Sequence, residues 1–436
     1  MKFGGTSVGS PERMNAMLEL VKDDAPKIVV LSAMSGTTNA LVKISELLYA
    51  NRKDEAKEAV DALHDRYKQI VDGLFSRAEY KMKGRIFIDA HFEFLLSHTI
   101  DMFTMLEERV VLAQGELIST GLVQLRAEEI GMKTVLLPAL NFMRTDRNNE
   151  PDNYYIKEQL NRETEKYPDN KIFITQGYIC RNAYGEVDNL KRGGSDYSAS
   201  LIGAAVKADE VQIWTDIDGF HDNDPRVVDN TKSIRYLSFD EAAELAYFGA
   251  KILHPATVWP ARENNIPVRL KNTMDPEAFG TLISAEEEGE DGIKAIAAKD
   301  DITAIKIKSG RMLMAYGFLR KVFEVFESYR TPIDMITTSE VAVSLTIDDT
   351  THLDKIQYDL RNYGTVEVDK NMTIICIVGH NLMRKKESVS KIFEALNDIP
   401  VRMVSYGGSR HNISILTERE HKDKALRSLS EYLFRV

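Results

Sequence analysis

Cysteine is scarce in this chain. Its 436 residues include two, Cys180 and Cys376, too few for a disulfide framework and without metal or redox spacing, so a reducing compartment is expected. Both lie in apolar runs and read as packing thiols. Long apolar runs are missing too. No stretch approaches the ~18 residues of a membrane span, and the start lacks the layout of a signal peptide. Positive charge is not in excess: 56 Lys and Arg face 67 Asp and Glu, a formal net charge of −11. That balance argues against nucleic acid or an anionic membrane as a principal partner, and a cytoplasmic location is the expectation. His64, His91 and His98 share one helical stretch, but none pairs with another at metal-binding spacing. No metal held by protein ligands alone is expected.

What is present suits a globular enzyme. The composition is 43% apolar and 28% charged, and the length calls for two to four domains. Lys2-Phe3-Gly4-Gly5-Thr6-Ser7 is followed by Ser10-Pro11-Glu12, which supplies an N-cap, an N1 proline and an early acid. A helix is predicted to about Val21, with Met14, Met17, Leu18 and Val21 on one face. The Gly-Gly-Thr-Ser turn suits phosphate oxygens, but the lysine precedes the glycines, so it is not a Walker loop. Lys27 to Ala33 is a continuous apolar run, the mark of a strand buried on both faces. It leads through the hydroxyl-rich Ser32 to Asn39 into a helix. Strand, polar loop and helix, repeated, predict a parallel sheet with ligands at the carboxyl ends of its strands.

From about Ala50 to Leu106 the chain is charged and helical in period, which reads as a helical insertion. A helix over Val110 to Leu125 carries Gln114-Gly115-Glu116, where the glycine suggests a close approach and Glu116 could hold an ammonium group. Lys133 to Leu137, Ile172 to Cys180 and Glu210 to Trp214 are strand candidates. Between a short strand at Glu186 to Leu190 and a helix over Tyr197 to Ala208 lies Arg192-Gly193-Gly194-Ser195-Asp196. Two glycines there permit positive φ and close backbone approach. The free N–H groups and dipole of the following helix favour an anion, and Arg192 adds a planar fork for carboxylate or phosphate. The acids of Thr215-Asp216-Ile217-Asp218-Gly219 and Asp222-Asn223-Asp224 misplace the glycine of a calcium loop and lack its final glutamate, so a nucleotide-contacting loop fits better. Ser238-Phe239-Asp240-Glu241 is a capping box for a helix ending near Gly249, and Lys251 follows in the break. Glu286 to Gly292 is acidic and apolar-poor, and the main domain boundary is placed there. Beyond it, strand, helix, strand, strand occurs twice, from Ile302 to Ile347 and from Met372 to Leu416, as in a paired sensor module.

With these residues assembled, the chain resembles an aspartokinase over nearly its whole length. Lys2-Phe3-Gly4-Gly5-Thr6-Ser7, Arg192-Gly193-Gly194-Ser195-Asp196, Thr215-Asp216 with Asp224-Pro225-Arg226, and Phe248-Gly249-Ala250-Lys251-Ile252-Leu253-His254-Pro255 match that family's motifs in its order. The resemblance implies an α/β amino-acid-kinase fold over residues 1–290, a mainly parallel sheet sandwiched by helices. Two α+β, ferredoxin-like ACT domains would follow over 291–436. The first would span about 300–370; the second would span about 371–436 and take in a strand near Ile293 to Ala297, so that the two interleave. The implied reaction moves the γ-phosphate of ATP to the side-chain carboxylate of L-aspartate. A carboxylate is already ionised at neutral pH, so the task is to bring an anion up to a polyanion, which calls for positioning and positive charge.

Carried over by motif, Lys2, Asp196 and Lys251 are catalytic, and Asp196 organises the lysine and the magnesium-bound phosphates. Thr38, Glu116, Arg192, Gly193, Gly194 and Ser195 form the aspartate site, with Arg192 on the α-carboxylate and Glu116 on the ammonium. Lys2, Gly4, Gly5, Thr6, Thr215, Asp216, His221, Arg226, Lys251 and Ile252 meet ATP, and Mg²⁺ is expected with the nucleotide. The chain departs from the family in beginning one residue before Lys2, in Lys191 where glycine is common, and in His221 where tyrosine is common. Met312 to Leu319 and Ile333 to Val341 resemble the first ACT unit of lysine-inhibited, single-function members. Met312, Ala315, Phe318, Leu319, Asp334, Ser339 and Glu340 are therefore candidates for binding lysine at a homodimer interface formed by the ACT domains, with tetramers as a further step. Asp334 and Glu340 could meet lysine's ammonium groups. The rival readings are another amino-acid kinase and a catalytically weak amino-acid sensor. A chain joined to homoserine dehydrogenase is not expected, because no Gly-x-Gly-x-x-Gly domain follows.

Overall fold

The computed structural model describes residues 1–100, 102–190, 193–249, 253–286, 292–309, 316–382, 384 and 386–434. The chain forms two compact units, Met1–Gly219 with Leu253–Ala285, and Phe220–Ile252 with Glu286–Val436. Residues 220–252, expected in the catalytic domain, thus pack with the C-terminal half, and the switch between units falls at Glu286.

In chain order the first unit holds β1 (Lys2–Phe3), α1 (Pro11–Leu20), β2 (Lys27–Leu31), α2 (Thr37–Tyr49), α3 (Lys53–Leu74), α4 (Ala78–Ser97), α5 (Met105–Glu129), β3 (Thr134–Leu137), α6 (Asn153–Glu165), β4 (Ile172–Gln176), β5 (Ile179–Arg181), β6 (Val187–Asn189), α7 (Gly194–Val206) and β7 (Val211–Thr215). The second unit contributes β8 (Tyr236–Ser238) and α8 (Phe239–Tyr247), after which α9 (Trp259–Glu263), β9 (Val268–Asn272) and β10 (Thr281–Ser284) complete the first. Its sheet runs β3-β4-β2-β1-β7-β9 with every neighbour parallel, and β10 adds on antiparallel. β1 is two residues long yet central: Lys2 lies opposite Val30 and Ile213, and Phe3 opposite Leu31 and Trp214.

The helical insertion is part of the core. Tyr67 and Phe92 from α3 and α4 pack in one cluster with Leu31, Met34 and Leu41. Its histidines have packing partners: His64 stacks on Phe92 with centroids 4.5 Å apart, and His91 Nδ1 meets Gln114 Oε1 at 2.6 Å. α5 starts earlier than the apolar periodicity suggested because Thr104 and Glu107 form a capping box. Ile172 to Cys180, read as one strand, is two. At Gly177 a Cβ would lie 2.4 Å from Ser195 Oγ, and Tyr178 turns with φ +66°. Helix α7 approaches too closely for the strand to continue. Cys180 and Cys376 are both buried free thiols, pushed upward in pKa by burial, Cys180 to about 12.

The second unit continues with β11 (Gly292–Lys308), α10 (Phe318–Ser328), β12 (Ile336–Thr338), β13 (Ala342–Ile347), α11 (Leu353–Leu360), β14 (Thr365–His380), α12 (Lys386–Ala395), β15 (Met403–Tyr406), β16 (Asn412–Glu418) and α13 (Lys422–Phe434). Six strands form one antiparallel sheet in the order β12-β13-β11-β14-β16-β15. Two expected strands, Ile293 to Ala297 and Ile302 to Lys308, are one long strand with register shifts between Lys299 and Ala304. Its first part pairs with Ile374–His380 of β14. Its second part lies between β13 and Thr365–Asp369. Two cores result: Ile305, Val322, Val343 and Ile356 in one, Ile296, Ile377, Ile392 and Leu426 in the other.

Candidate active site

The carboxyl ends of β4, β2, β1 and β7 meet the amino end of α7. Polar loops leave each strand there because parallel strands bury their apolar runs and release the chain at one edge. The loops are tied together by backbone. Gly4 N–H donates to Trp214 O at 3.2 Å, Ser35 N–H to Gly5 O at 3.1 Å, and Gly177 N–H to Leu31 O at 2.9 Å. Ser7 Oγ is 2.9 Å from Thr273 Oγ1, and Arg13 Nη1 donates to Thr6 O at 2.7 Å.

Lys2 and Asp196 form an ion pair across this edge, with Nζ and Oδ1 2.7 Å apart and side chains 12% and 18% exposed. A Cβ at Gly4 would stand 3.4 Å from Lys2 Nζ, and one at Gly5 would stand 2.8 Å from Ala33 O. The glycines therefore let the loop close around the ammonium group. Gly193 has φ +67° and Gly194 φ +50°, and a Cβ at Gly193 would be 1.8 Å from Thr257 Cγ2. Ser195 is buried against Gly177, and Ser198 Oγ accepts from Tyr178 N–H at 2.8 Å. Among the described residues the arrangement presents the Lys2 ammonium group and the N–H groups that open α7, which suits an anionic ligand.

Glu116 lies within α5 and is 4% exposed. Its Oε1 accepts from Ala33 N–H at 3.2 Å, and burial pushes its pKa up to about 7 against that bond. Gly115 allows the approach: its Cβ would meet Ala33 Cβ at 2.8 Å. Thr38 is exposed in the first turn of α2, while Thr37 beside it is buried and 2.8 Å from Tyr67 OH. Thr215 donates to Asp216 Oδ1 at 3.1 Å, and its carbonyl accepts from Thr273. His221 and Arg226 belong to the second unit. His221 Nδ1 is 2.9 Å from Thr231 Oγ1, and Arg226 forks onto Asp224 at 3.0 and 2.8 Å. Arg192, Lys251 and Ile252 lie outside the described residues.

Of the residues expected to bind an effector, Met312 and Ala315 also lie outside the described residues. Phe318 is buried at the start of α10 and belongs to the core, whereas Leu319 is exposed. Ser339 and Glu340 are exposed in the turn before β13, where Ser339 N–H donates to Ala342 O at 2.8 Å. Asp334 differs from the expectation of an acid open to an incoming ammonium group. Its side chain is 1% exposed and already holds the chain's own Lys299 at 2.8 Å. Tyr247 OH donates to the same oxygen at 2.9 Å, and Lys299 also reaches Asp348 at 2.9 Å. Burial opposes the charge on Lys299, but its two carboxylate partners outweigh burial and hold its pKa above the usual range.

The amino acid kinase family model matches residues 1–272, and an ACT domain model matches residues 375–433. Lysine-sensitive aspartokinase 3 of Escherichia coli (strain K12) is 34% identical, across 99% of this chain and 98% of that protein. The chain belongs to the aspartokinase family. As a member it is an ATP-dependent phosphotransferase with a carboxyl group as acceptor. Two solved structures are similar throughout. E. coli aspartokinase III in complex with aspartate and ADP has a TM-score of 0.84 at 33% identity, covering 99% of each chain. The same enzyme with lysine and aspartate has a TM-score of 0.78 at 34% identity, covering 99% of this chain and 98% of that one.

Several residues around the expected sites escaped sequence reading. Tyr67 sits in a charged helix and reaches Thr37 only through tertiary packing. Tyr178 carried one signal, the glycine before it inside an apparent strand. Lys299 precedes two aspartates and reads as surface charge, although the sheet places it beside Asp334.

Proposed function

We propose that the chain transfers the γ-phosphate of ATP to the side-chain carboxylate of L-aspartate, with Lys2 and Asp196 at the centre of the site. The observation that carries this reading is the 2.7 Å Lys2–Asp196 pair set among the glycine loops at the strand ends. Lys2 lowers the cost of bringing two anions together and stabilises charge on the transferring phosphoryl group. The N–H groups around Gly4 to Thr6 and Gly193 to Ser195 supply fixed donors, and Asp196 keeps the ammonium aimed. Glu116 receives the substrate's ammonium group. Its buried carboxyl, balanced near neutrality, takes up that cation with little reorganisation. Thr38, Arg192 and Ser195 complete the aspartate pocket. Thr215 and Asp216 belong to the nucleotide site.

Mg²⁺ enters with the nucleotide. Such an ion keeps several waters and takes one or two carboxylates besides phosphate oxygens, a demand the partly exposed Asp196 fits. Asp196 would help to hold such an ion, which would neutralise phosphate charge there. We further propose feedback inhibition by L-lysine through the C-terminal unit, in keeping with the lysine-sensitive E. coli relative, and assembly as a homodimer through the ACT domains. The test is aspartate-dependent ADP release with Mg-ATP, trapping the acyl phosphate with hydroxylamine, with and without lysine. No hydroxamate from folded protein would reject the kinase site. Turnover indifferent to lysine would reject the effector alone.

A further inference from the structure

The second unit brings Glu241, His380 and His411 together, three residues far apart in sequence, so that one potential ligand atom of each lies within 4.8 Å of the others. Glu241 is the third residue of α8, His380 ends β14, and His411 precedes β16. They are 0%, 8% and 9% exposed. Gly379 N–H donates to His411 O at 2.9 Å, which fixes the two strand ends side by side. The carboxylate of Glu241 is held from one side only. Its Oε2 accepts from Ser238 N–H at 2.8 Å and from Lys294 Nζ at 2.9 Å, while the buried Oε1 makes no hydrogen bond among the described residues. His411 Nδ1 is likewise buried without a hydrogen-bond partner among the described residues. His380 Nε2 contacts the Asn381 side-chain amide at 2.8 Å, the kind of outer contact that orients a ligating imidazole.

We propose that Glu241, His380 and His411 bind a divalent transition metal of the zinc class. A buried carboxylate oxygen left without a donor is costly, and a cation between Oε1 and the imidazoles satisfies it. Ser238 and Lys294 supply the outer-shell bonds that ligating carboxylates need. Two imidazoles and one carboxylate suit Zn²⁺, Co²⁺, Ni²⁺ or Fe²⁺ and disfavour Mg²⁺ or Ca²⁺, which prefer oxygen alone. Water completes the coordination. The metal staples the first turn of α8 to the ends of β14 and β16.

The experiment titrates the full chain with Co²⁺ and with Zn²⁺, in the absence of nucleotide. It follows visible Co²⁺ absorption and thermal midpoint, with metal content measured after desalting. The expected result is one equivalent per chain, a raised midpoint, and binding weakened by about ten-fold or more in His411→Ala and in His380→Ala. His421→Ala is the control, because Glu418, Glu420 and His421 form an exposed cluster of the same ligand types. Binding unchanged in folded His411→Ala and His380→Ala, binding lost only in His421→Ala, or no bound metal in the wild type would each overturn the proposal. Glu241→Gln is a secondary variant, since it also disturbs the helix cap.

Discussion

Each unit of this protein contains a lysine–aspartate pair of nearly the same length, Lys2–Asp196 at 2.7 Å and Lys299–Asp334 at 2.8 Å. Their surroundings make them different devices. Lys2 stands at a strand end among glycines and helix-start N–H groups, and both partners keep some contact with water. Lys299 stands within a sheet, its partner Asp334 is 1% exposed, Tyr247 shares the Asp334 oxygen that Lys299 holds, and Asp348 takes Lys299 from another side. The first pair can exchange partners with an incoming anion at little cost. The second is a cluster around one dry carboxylate: Lys299 and Asp348 are 19% and 42% exposed, but removing Lys299 leaves Asp334 in a dry place. Distance alone does not distinguish a working cation from a structural one; the neighbouring donors and the access do.

Breaking each pair tests that comparison. Lys2→Met should lower kcat by about 10²–10³-fold, the effect of removing one transition-state charge contact, with the thermal midpoint little changed. A near-normal rate would take Lys2 out of the chemistry. Lys299→Met should do the reverse, retaining turnover at low temperature while costing about 3–5 kcal/mol in denaturant unfolding, because Asp334 is left buried and unpaired. A loss below about 1 kcal/mol, the range of an exposed pair, would show that water reaches the cluster.

Glu116 sharpens the contrast within the first unit. Its carboxyl is raised from 4.5 to about 7 by burial, so the folded chain holds a proton that the unfolded chain has lost between these values. Stability should therefore fall as pH rises from 4.5 to 7, by about 3 kcal/mol in full, and Glu116→Gln should remove that dependence. If Glu116 receives the substrate ammonium group, KM for aspartate should rise as pH drops below 7, where the carboxyl is neutral. A flat KM from pH 6 to 8 (a span of about one unit each side of that value) would deny it the contact. The smallest expected effect is that of Gly193→Ala, about 1–2 kcal/mol for an L side chain at φ +67°, with added loss of aspartate turnover if Thr257 must move. Wild-type turnover and stability would show that the turn relaxes freely.

Residue chemistry local to the chain was legible from the start. The apolar run ending at Leu31 marked a strand buried on both faces, Ser238 and Glu241 marked a helix start, and the glycines at 4, 5, 193 and 194 marked turns of close backbone approach. These signals depend on a residue's own φ, hydrogen bonding or polarity, and the amino-acid type states them directly. Tertiary structure decided what depends on distant partners. It broke Ile172 to Cys180 at Tyr178, since the crowding comes from Ser195 on α7. It joined two expected strands into β11, because β14 runs beside both. It turned Asp334 from an open acid into a paired one, since Lys299 arrives from a neighbouring strand. It placed Glu241, His380 and His411 together, although their spacing in the chain carries no metal signature. The sequence by itself determined which groups could bind charge, and the packing decided which of them were already satisfied.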